Sequence, residues 1–370
     1  MTIAVVGAGL TGLAAAWELE RVGRGADVVV LHSERHAGGV IVTERRDGFV
    51  VEGGPDGFLA AEPDIQDLAR EVEIGDRVVD QVAMGSTLWT GSRLEPLREG
   101  RAAELLGIQL TAESELARGF RSFAGGMAQI VEALVARLAP RIRSSQGVMA
   151  LAPGARGRGW RLSVTGGAAV EADAVVLAVP AWEIARLLAG VGVAARALDD
   201  VVYAPSVTVS LAYRAEQVPA HLEGTGFVAA AESGGAVTAC TYAWRKFPHR
   251  APDGHALLRA FVGPVNGDPG LVAHAELTTI LGLRGPPLWT RAFHWPRGLP
   301  RYDRGHADRL AALRAGLARL PPLAIAGAGV DGAGVSACVR SGREAARTVL
   351  SRLASNRPAG LLPSEPHFLP

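Results

Sequence analysis

The stretch TIAVVGAGLTGLAAAWELERVG, residues 2–23, decides the fold of this chain. An apolar run enters GAGLTG at residues 7–12, apolar residues at helical period follow, and a second apolar run, VVVL, occupies residues 28–31. This order predicts a strand, a glycine turn, a helix and a second strand, the context in which G-x-G-x-x-G binds a dinucleotide pyrophosphate. The helix start adds unpaired N–H donors. The candidate cofactor-binding residues of this turn are Gly7, Ala8, Gly9, Leu10, Thr11 and Gly12.

Two further glycine turns bear on which dinucleotide is bound. Gly38-Gly39 follows the second strand, and EGGPDGF at residues 52–58 follows a predicted hairpin over residues 40–51 with Asp47-Gly48 at its turn. A flavin runs its ribityl chain and ring over more backbone than a nicotinamide cofactor does. The extra turns therefore favour FAD over NAD.

The remaining patterns predict the domain organisation. Alternating β-branched runs over residues 201–263 indicate a second, largely antiparallel sheet, and LAIAG at residues 323–327 leads through a glycine turn into a closing helix. We expect an α/β, Rossmann-like FAD-binding domain assembled from both chain ends, with an inserted, mostly antiparallel β substrate domain (α+β). The FAD-binding parts are predicted at 1–84, 122–200 and 301–353, a shortened substrate or helical segment at 85–121, a substrate-side sheet at 201–300, and a disordered tail at 354–370.

Composition excludes several classes of protein. The chain has 370 residues with 38 basic and 37 acidic side chains, so no charge excess favours nucleic acid. Its two cysteines, Cys240 and Cys338, form no CxxC pair, which argues against a zinc site or a disulfide framework and fits a reducing cytoplasm. No segment has the length and apolarity of a membrane span, so we expect at most peripheral contact with the inner face of a membrane.

Several blocks of this sequence resemble one family. GAGLTGLAAAWELE, VEGGPDGFLA, APDGHALLRAFVG, WPRGLPRYDRGH and LAIAGAGVDGAGVSACVRSGREAA are similar to the FAD-dependent protoporphyrinogen and coproporphyrinogen oxidases of haem biosynthesis, within the flavin amine oxidase superfamily. The resemblance covers residues 1 to about 100 and about 122 to 352. It implies oxidation of protoporphyrinogen IX to protoporphyrin IX, with oxygen as the acceptor of electrons from FAD.

The resemblance also implies roles for individual residues. The turn after Glu52 lies beside the flavin in the family, a valine clasps the adenine, and the start of the closing helix faces the pyrimidine edge of the ring. Cofactor contacts are thus expected at Gly38, Gly39, Gly54, Pro55, Asp56, Gly57, Val148, Trp295, Ala328, Ala333, Gly334 and Val335. The apolar wall for the macrocycle is expected at Thr225, Val228, Thr241 and Phe261. No side chain is assigned as a catalytic base. The electron pairs of the pyrrole nitrogens can assist the loss of hydride, and the protons of the macrocycle can pass to water.

This chain departs from the family pattern in three places. The family ends its second strand on a glutamate that binds the adenosine ribose, whereas this chain has His32, and His36 replaces an arginine before Gly38-Gly39. Only residues 101–119 stand where the family has a long helical block that covers the substrate. Glu34, two residues further on, is the candidate to replace the missing ribose contact.

Three functions remain open from the sequence. The first is a porphyrinogen oxidase, acting on protoporphyrinogen or coproporphyrinogen. The second is a shortened relative that keeps the fold and binds FAD or a partner without turnover. The third is another enzyme of the superfamily, an amine oxidase or a carotenoid desaturase. The chain offers only four tyrosines and no aromatic residue in GAGVDGAGVSAC, which speaks against the aromatic pair of amine oxidases.

Overall fold

The computed structural model of the chain describes residues 1–23, 25–98, 101, 105 and 118–356. Its strands are β1 (Thr2–Val6), β2 (Asp27–Leu31), β3 (Thr43–Arg46), β4 (Phe49–Glu52), β5 (Phe58–Leu59), β6 (Val78–Asp80), β7 (Ser86–Trp89), β8 (Leu94–Leu97), β9 (Phe120–Phe123), β10 (Ile142–Arg143), β11 (Val148–Pro153), β12 (Trp160–Val164), β13 (Val170–Ala172), β14 (Ala174–Leu177), β15 (Val202–Arg214), β16 (Gly226–Ala229), β17 (Val237–Tyr242), β18 (His255–Val262), β19 (Trp289–Arg301) and β20 (Leu323–Ile325). Its helices are α1 (Leu10–Val22), α2 (Asp64–Glu71), α3 (Ala128–Leu138), α4 (Ala181–Ala189), α5 (Arg196–Asp199), α6 (Ala243–Lys246), α7 (Pro269–Leu281), α8 (His306–Leu317) and α9 (Val335–Ser355).

A parallel sheet forms the centre of the first domain, in the strand order β10-β2-β1-β14-β20. Because side chains alternate along β1, Ile3 and Val5 pack under α1, α3 and α9, whereas Ala4 and Val6 face a second core under β11–β13, α4 and α8. The sheet combines strands from residues 2–31, 142–177 and 323–325. This confirms the predicted Rossmann-like domain built from both chain ends.

The second domain is centred on a seven-stranded sheet in the order β19-β15-β18-β17-β16-β7-β8. Its neighbours are antiparallel except for the parallel pair β16–β7, so the prediction of a mostly antiparallel sheet is confirmed. Helix α7 covers one face through a core that includes Leu211, Leu258 and Leu277. The other face meets the β3–β4 hairpin, where Phe49 and Val51 pack on Phe293.

The structure covers only part of the predicted segments 85–121 and 354–370. Strands β7 and β8, from the predicted segment 85–121, form an edge of the large sheet, and most of 101–117 lies outside the described residues. Helix α9 continues to Ser355, two residues past the predicted boundary, and the predicted tail from residue 357 onward also lies outside them. None of the helices in the described ranges is long and apolar enough to cross a membrane.

Candidate functional site

The glycine turn between β1 and α1 has the geometry that a phosphate cradle requires. Gly7 adopts φ +106°, and a Cβ there would lie 2.4 Å from the Ala178 carbonyl oxygen. A Cβ on Gly12 would lie 1.9 Å from the Gly7 carbonyl oxygen, so the turn closes directly on the helix. A Cβ on Gly9, in contrast, would meet nothing within 4 Å. The side of Gly9 that a pyrophosphate would approach is therefore open.

The three predicted glycine turns lie against one another. Gly38 donates its N–H to the Ala8 carbonyl at 2.8 Å, and a Cβ on Gly39 would lie 3.5 Å from Gly9 Cα. A Cβ on Gly54 would lie 1.7 Å from the Val40 carbonyl oxygen, so the loop at residues 53–57 packs on the backbone that follows Gly39. The structure thus brings together the turns at residues 7–12, 38–39 and 53–57.

A cavity of about 500 Å³ opens beside the glycine turn, at the ends of β1 and β2. It is lined by Gly7, by Gly147 and by side chains of the first domain, and Val148, predicted to clasp the adenine, is among the lining residues. Across the cavity, Glu183 and Arg186 form an ion pair with Nε to Oε2 2.8 Å, and Arg186 also donates to the Val148 and Met149 carbonyls. The cavity has the position that the adenosine half of a dinucleotide needs.

His32 lines this cavity and is only 7% exposed. Its Nε2 lies 2.8 Å from the His36 carbonyl oxygen, which can only accept a hydrogen bond. In the neutral ring Nε2 therefore carries the hydrogen, and Nδ1 is left as the acceptor. Glu34, the predicted substitute, is exposed and is not among the lining residues of the cavity.

The loop at residues 53–57 is held by its carbonyl groups. Trp295 Nε1 donates to the Gly53 carbonyl at 2.8 Å, and Ser122 Oγ donates to the Asp56 carbonyl at 2.7 Å. Among the described residues, no acceptor takes the N–H of Gly54 or Asp56. These two N–H groups are therefore available to a ligand. Trp295 thus acts by fixing the loop, a role that the sequence motif did not distinguish from direct contact with the flavin.

The turn before α9 is the third part of the site. Tyr302 donates its hydroxyl to the Ala328 carbonyl, and His306 Nε2 lies 3.0 Å from the Val330 carbonyl oxygen. The two rings stack with centroids 4.6 Å apart. Tyr302 and His306 therefore fix this turn through its backbone. The residues predicted here are Ala328, Ala333, Gly334 and Val335.

The first turn of α9 leaves donors for a ligand. Gly334 is its N-cap without a side-chain cap, and the turn contains no acidic residue. The hydroxyl of Ser336 is fully enclosed and has no hydrogen-bond partner among the described residues. Free N–H groups, the positive end of the helix and an orphaned hydroxyl together suit an electron-rich ring edge.

The residues present fit FAD. The glycine turn would hold the pyrophosphate, the cavity at His32 and Val148 would hold the adenosine, and the N–H groups of loop 53–57 and of α9 would face the ring. The orphaned Ser336 hydroxyl and the open side of Gly9 are the observations in this chain that a bound cofactor would account for.

Three of the four residues predicted for the substrate wall share one face of the large sheet. Val228 lies opposite Ala239, Ala239 opposite Phe261, and Thr241 opposite Arg259, so their side chains point to the face away from α7. Thr225 lies just before β16 and bonds to the Gly85 carbonyl and Ser86. The wall assignment itself stays a prediction.

A group of buried charges beneath loop 53–57 is a feature that sequence reasoning missed. We call Glu52, Asp56, Lys246, Arg250 and Arg259 the loop cluster. Burial would raise the pKa of Asp56, but Lys246, Arg259 and Arg250 hold that pKa at about 2. Burial raises the pKa of Glu52 above its usual value, and it lowers the pKa of Arg259 and Arg250. The described residues contain no cluster of three or more His, Cys, Asp or Glu side chains that could hold a metal.

Comparison with known proteins identifies two matching families and several related enzymes. The family described as flavin containing amine oxidoreductase matches residues 97–350, and a NAD(P)-binding Rossmann-like domain matches residues 5–72. Coproporphyrinogen III oxidase from Propionibacterium freudenreichii is 26% identical over 96% of this chain and 92% of that protein. Protoporphyrinogen oxidase from Bos taurus is 30% identical over 62% of this chain and 51% of that protein.

A solved structure shares the fold. A candidate protoporphyrinogen oxidase from Exiguobacterium sp. 255-15 has a TM-score of 0.80 at 24% identity and covers 95% of this chain and 98% of that one. The predicted resemblance to porphyrinogen oxidases and the predicted FAD cofactor are confirmed. The chain is an FAD-dependent oxidoreductase that belongs to the flavin-containing amine oxidoreductase family.

Proposed function

We propose that this protein is a porphyrinogen oxidase of haem biosynthesis. The observation that carries the proposal is the end-to-end similarity to coproporphyrinogen III oxidases, which spans 92% of the Propionibacterium protein. The sequence similarity to the Bos taurus protoporphyrinogen oxidase covers only 51% of that protein. Coproporphyrinogen III, with four propionates, is therefore the substrate we favour over protoporphyrinogen IX, which the motifs alone suggested.

The site supports this chemistry without a side-chain base. FAD, when bound, supplies the two-electron acceptor for hydride removal from a meso carbon. The chain's part is to hold the ring edge with backbone donors and to present the sheet face with Val228, Thr241 and Phe261 to an apolar macrocycle. Pyrrole nitrogens release the protons, and oxygen serves as the final acceptor.

A second function is favoured by one observation. The alignment with the Propionibacterium enzyme runs over 494 positions, whereas this chain has 370 residues. The relative therefore carries segments that this chain lacks, and the sequence places the shortening at residues 101–119. A protein that binds FAD without turning over porphyrinogen would fit such a loss.

An aerobic assay separates the two functions. FAD-loaded protein is mixed with coproporphyrinogen III or protoporphyrinogen IX, and porphyrin fluorescence is followed against a protein-free control. We expect porphyrin fluorescence to rise faster than in the protein-free control, and faster with coproporphyrinogen III than with protoporphyrinogen IX. Loaded protein that never exceeds the control with either substrate would favour the second function.

A further inference from the structure

The loop cluster buries five charged groups where the large sheet meets loop 53–57. Glu52, Arg250 and Arg259 are 4%, 2% and 6% exposed, and the side chains of Lys246 and Asp56 are 12% and 23% exposed. Burying charge is costly unless it is paired, so each member needs a physical account.

Two of the three cations have a carboxylate partner. Lys246 Nζ lies 3.0 Å from Asp56 Oδ2, and Arg250 Nη2 lies 3.4 Å from Glu52 Oε1. Glu52 has further partners that anchor it: Met127 N–H at 2.8 Å and Thr43 Oγ1 at 2.6 Å. These contacts tie α6 to loop 53–57 and the start of α3 to the hairpin, and the two ion pairs balance their own charge.

Arg259 is the cation that remains. Its Nη2 donates to the Gly54 carbonyl, its guanidinium lies 4.9 Å from the centroid of the Phe261 ring, and its Nε is enclosed without a partner. No carboxylate within ion-pair distance of Arg259 occurs in the part of the chain that the structure describes. With Lys246, Arg250 and both carboxylates ionised, the cluster keeps one excess positive charge.

The charge of Arg259 lies against loop 53–57, because its guanidinium donates to the Gly54 carbonyl. This loop is predicted to lie beside the flavin. Solvent screens a charge on a 6% exposed side chain very little, so its field reaches the neighbouring site. A flavin gains negative charge when it accepts two electrons, and a nearby buried cation favours that form.

We propose that Arg259 is a positioning residue of the flavin site that holds Gly54 and whose uncompensated charge raises the reduction potential of the bound FAD. The ionised carboxylate of Asp56, in loop 53–57, acts in the opposite direction and lowers that potential. The proposal depends on FAD binding and not on the identity of the substrate.

The test is a spectroelectrochemical titration of the FAD-loaded protein. We expect R259M to shift the midpoint potential to a more negative value and D56N to shift it to a more positive value. R259K keeps the charge and should stay near the wild-type potential. If D56N does not retain FAD, the comparison of R259M with R259K decides, because a loosened loop would move the potential of both variants, whereas loss of the charge moves only that of R259M.

Arg291 provides the matched control. It lies on the same sheet face, 4.7 Å from the centroid of the Phe293 ring, but its side chain is 47% exposed and pairs with Glu44. R291M should leave the potential unchanged. A mere loosening of the loop would move R259M and D56N in the same direction, and that result, or an unchanged potential in R259M, would overturn the proposal.

Discussion

His32 stands at the end of β2, where the family resemblance predicts a glutamate. A carboxylate at the end of β2 can accept hydrogen bonds from two ribose hydroxyls, whereas the neutral His32 ring offers Nδ1 alone, because Nε2 is engaged by the His36 carbonyl. The backbone of His32 is held by two hydrogen bonds: its N–H donates to the Arg143 carbonyl, and its carbonyl accepts from the Gln146 N–H. The substitution therefore changes the number of contacts and leaves the strand end in place.

Restoring the carboxylate should tighten the site. We expect H32E to increase FAD affinity by roughly tenfold, since a charged hydrogen bond contributes about 1.5–3 kcal/mol before the cost of burial is subtracted. The measurement is a fluorescence titration of the apo protein with FAD. H36A is the control, because it removes an exposed side chain and keeps the carbonyl. An affinity of H32E equal to or below that of the wild type would contradict this account.

At the scale of elements, the β1–α1 unit shows how one sequence motif carries two separate requirements. Gly12 is needed by the fold, since any Cβ there would collide with the Gly7 carbonyl. Gly9 adopts φ −72°, which alanine tolerates, and has open space in front of it, so the fold itself does not require it. We therefore expect the requirement at Gly9 to come from the cofactor.

This difference predicts opposite behaviour of two alanine variants. G9A should keep the apo unfolding free energy of the wild type and lose most FAD affinity, because its methyl group enters the pyrophosphate space. G12A should lose about 1–3 kcal/mol of apo stability through overpacking. Urea denaturation of the apo proteins and FAD titration measure the two effects. Equal destabilisation of both apo variants would refute the assignment of Gly9 to the cofactor.

Elements with strong periodicity were predictable, and short ones were not. The pattern GAGLTG between two apolar runs predicted β1, α1 and β2, and Asp47-Gly48 predicted the hairpin, where both residues do adopt positive φ. Strands β5 and β10 have two residues each, too few for an alternation to be read. They exist because distant segments pair with them, as Phe58 does with Arg121.

At the scale of the whole molecule, the two chain ends depend on each other. Helices α1 and α9 approach so closely that a Cβ on Gly342 would lie 2.2 Å from the Thr11 carbonyl oxygen. The loop cluster is a similar long-range feature, with Arg259 and Gly54 separated by 205 residues. An arginine within an alternating strand pattern predicts a solvent-facing side chain. The buried cluster therefore became visible only when the hairpin and the large sheet were placed together.

The contact between the chain ends has its own test. We expect G342A to lower the unfolding free energy of the apo protein by about 1–3 kcal/mol, because the two helices must separate to admit a methyl group. G316A in α8 is the matched control: its Cβ would meet nothing within 4 Å, and alanine should stabilise that helix by up to about 1 kcal/mol. Equal stability of G342A and the wild type in urea denaturation would mean that the helices pack less closely.

The central claim is that this shortened chain transfers electrons from a porphyrinogen to FAD. The most direct measurement is the visible absorption spectrum of the FAD-loaded protein, recorded without oxygen while coproporphyrinogen III is added. The account predicts that the flavin absorption bleaches as porphyrin absorption rises, and that the flavin band returns when oxygen is admitted. A flavin band that persists in the presence of excess porphyrinogen would contradict it.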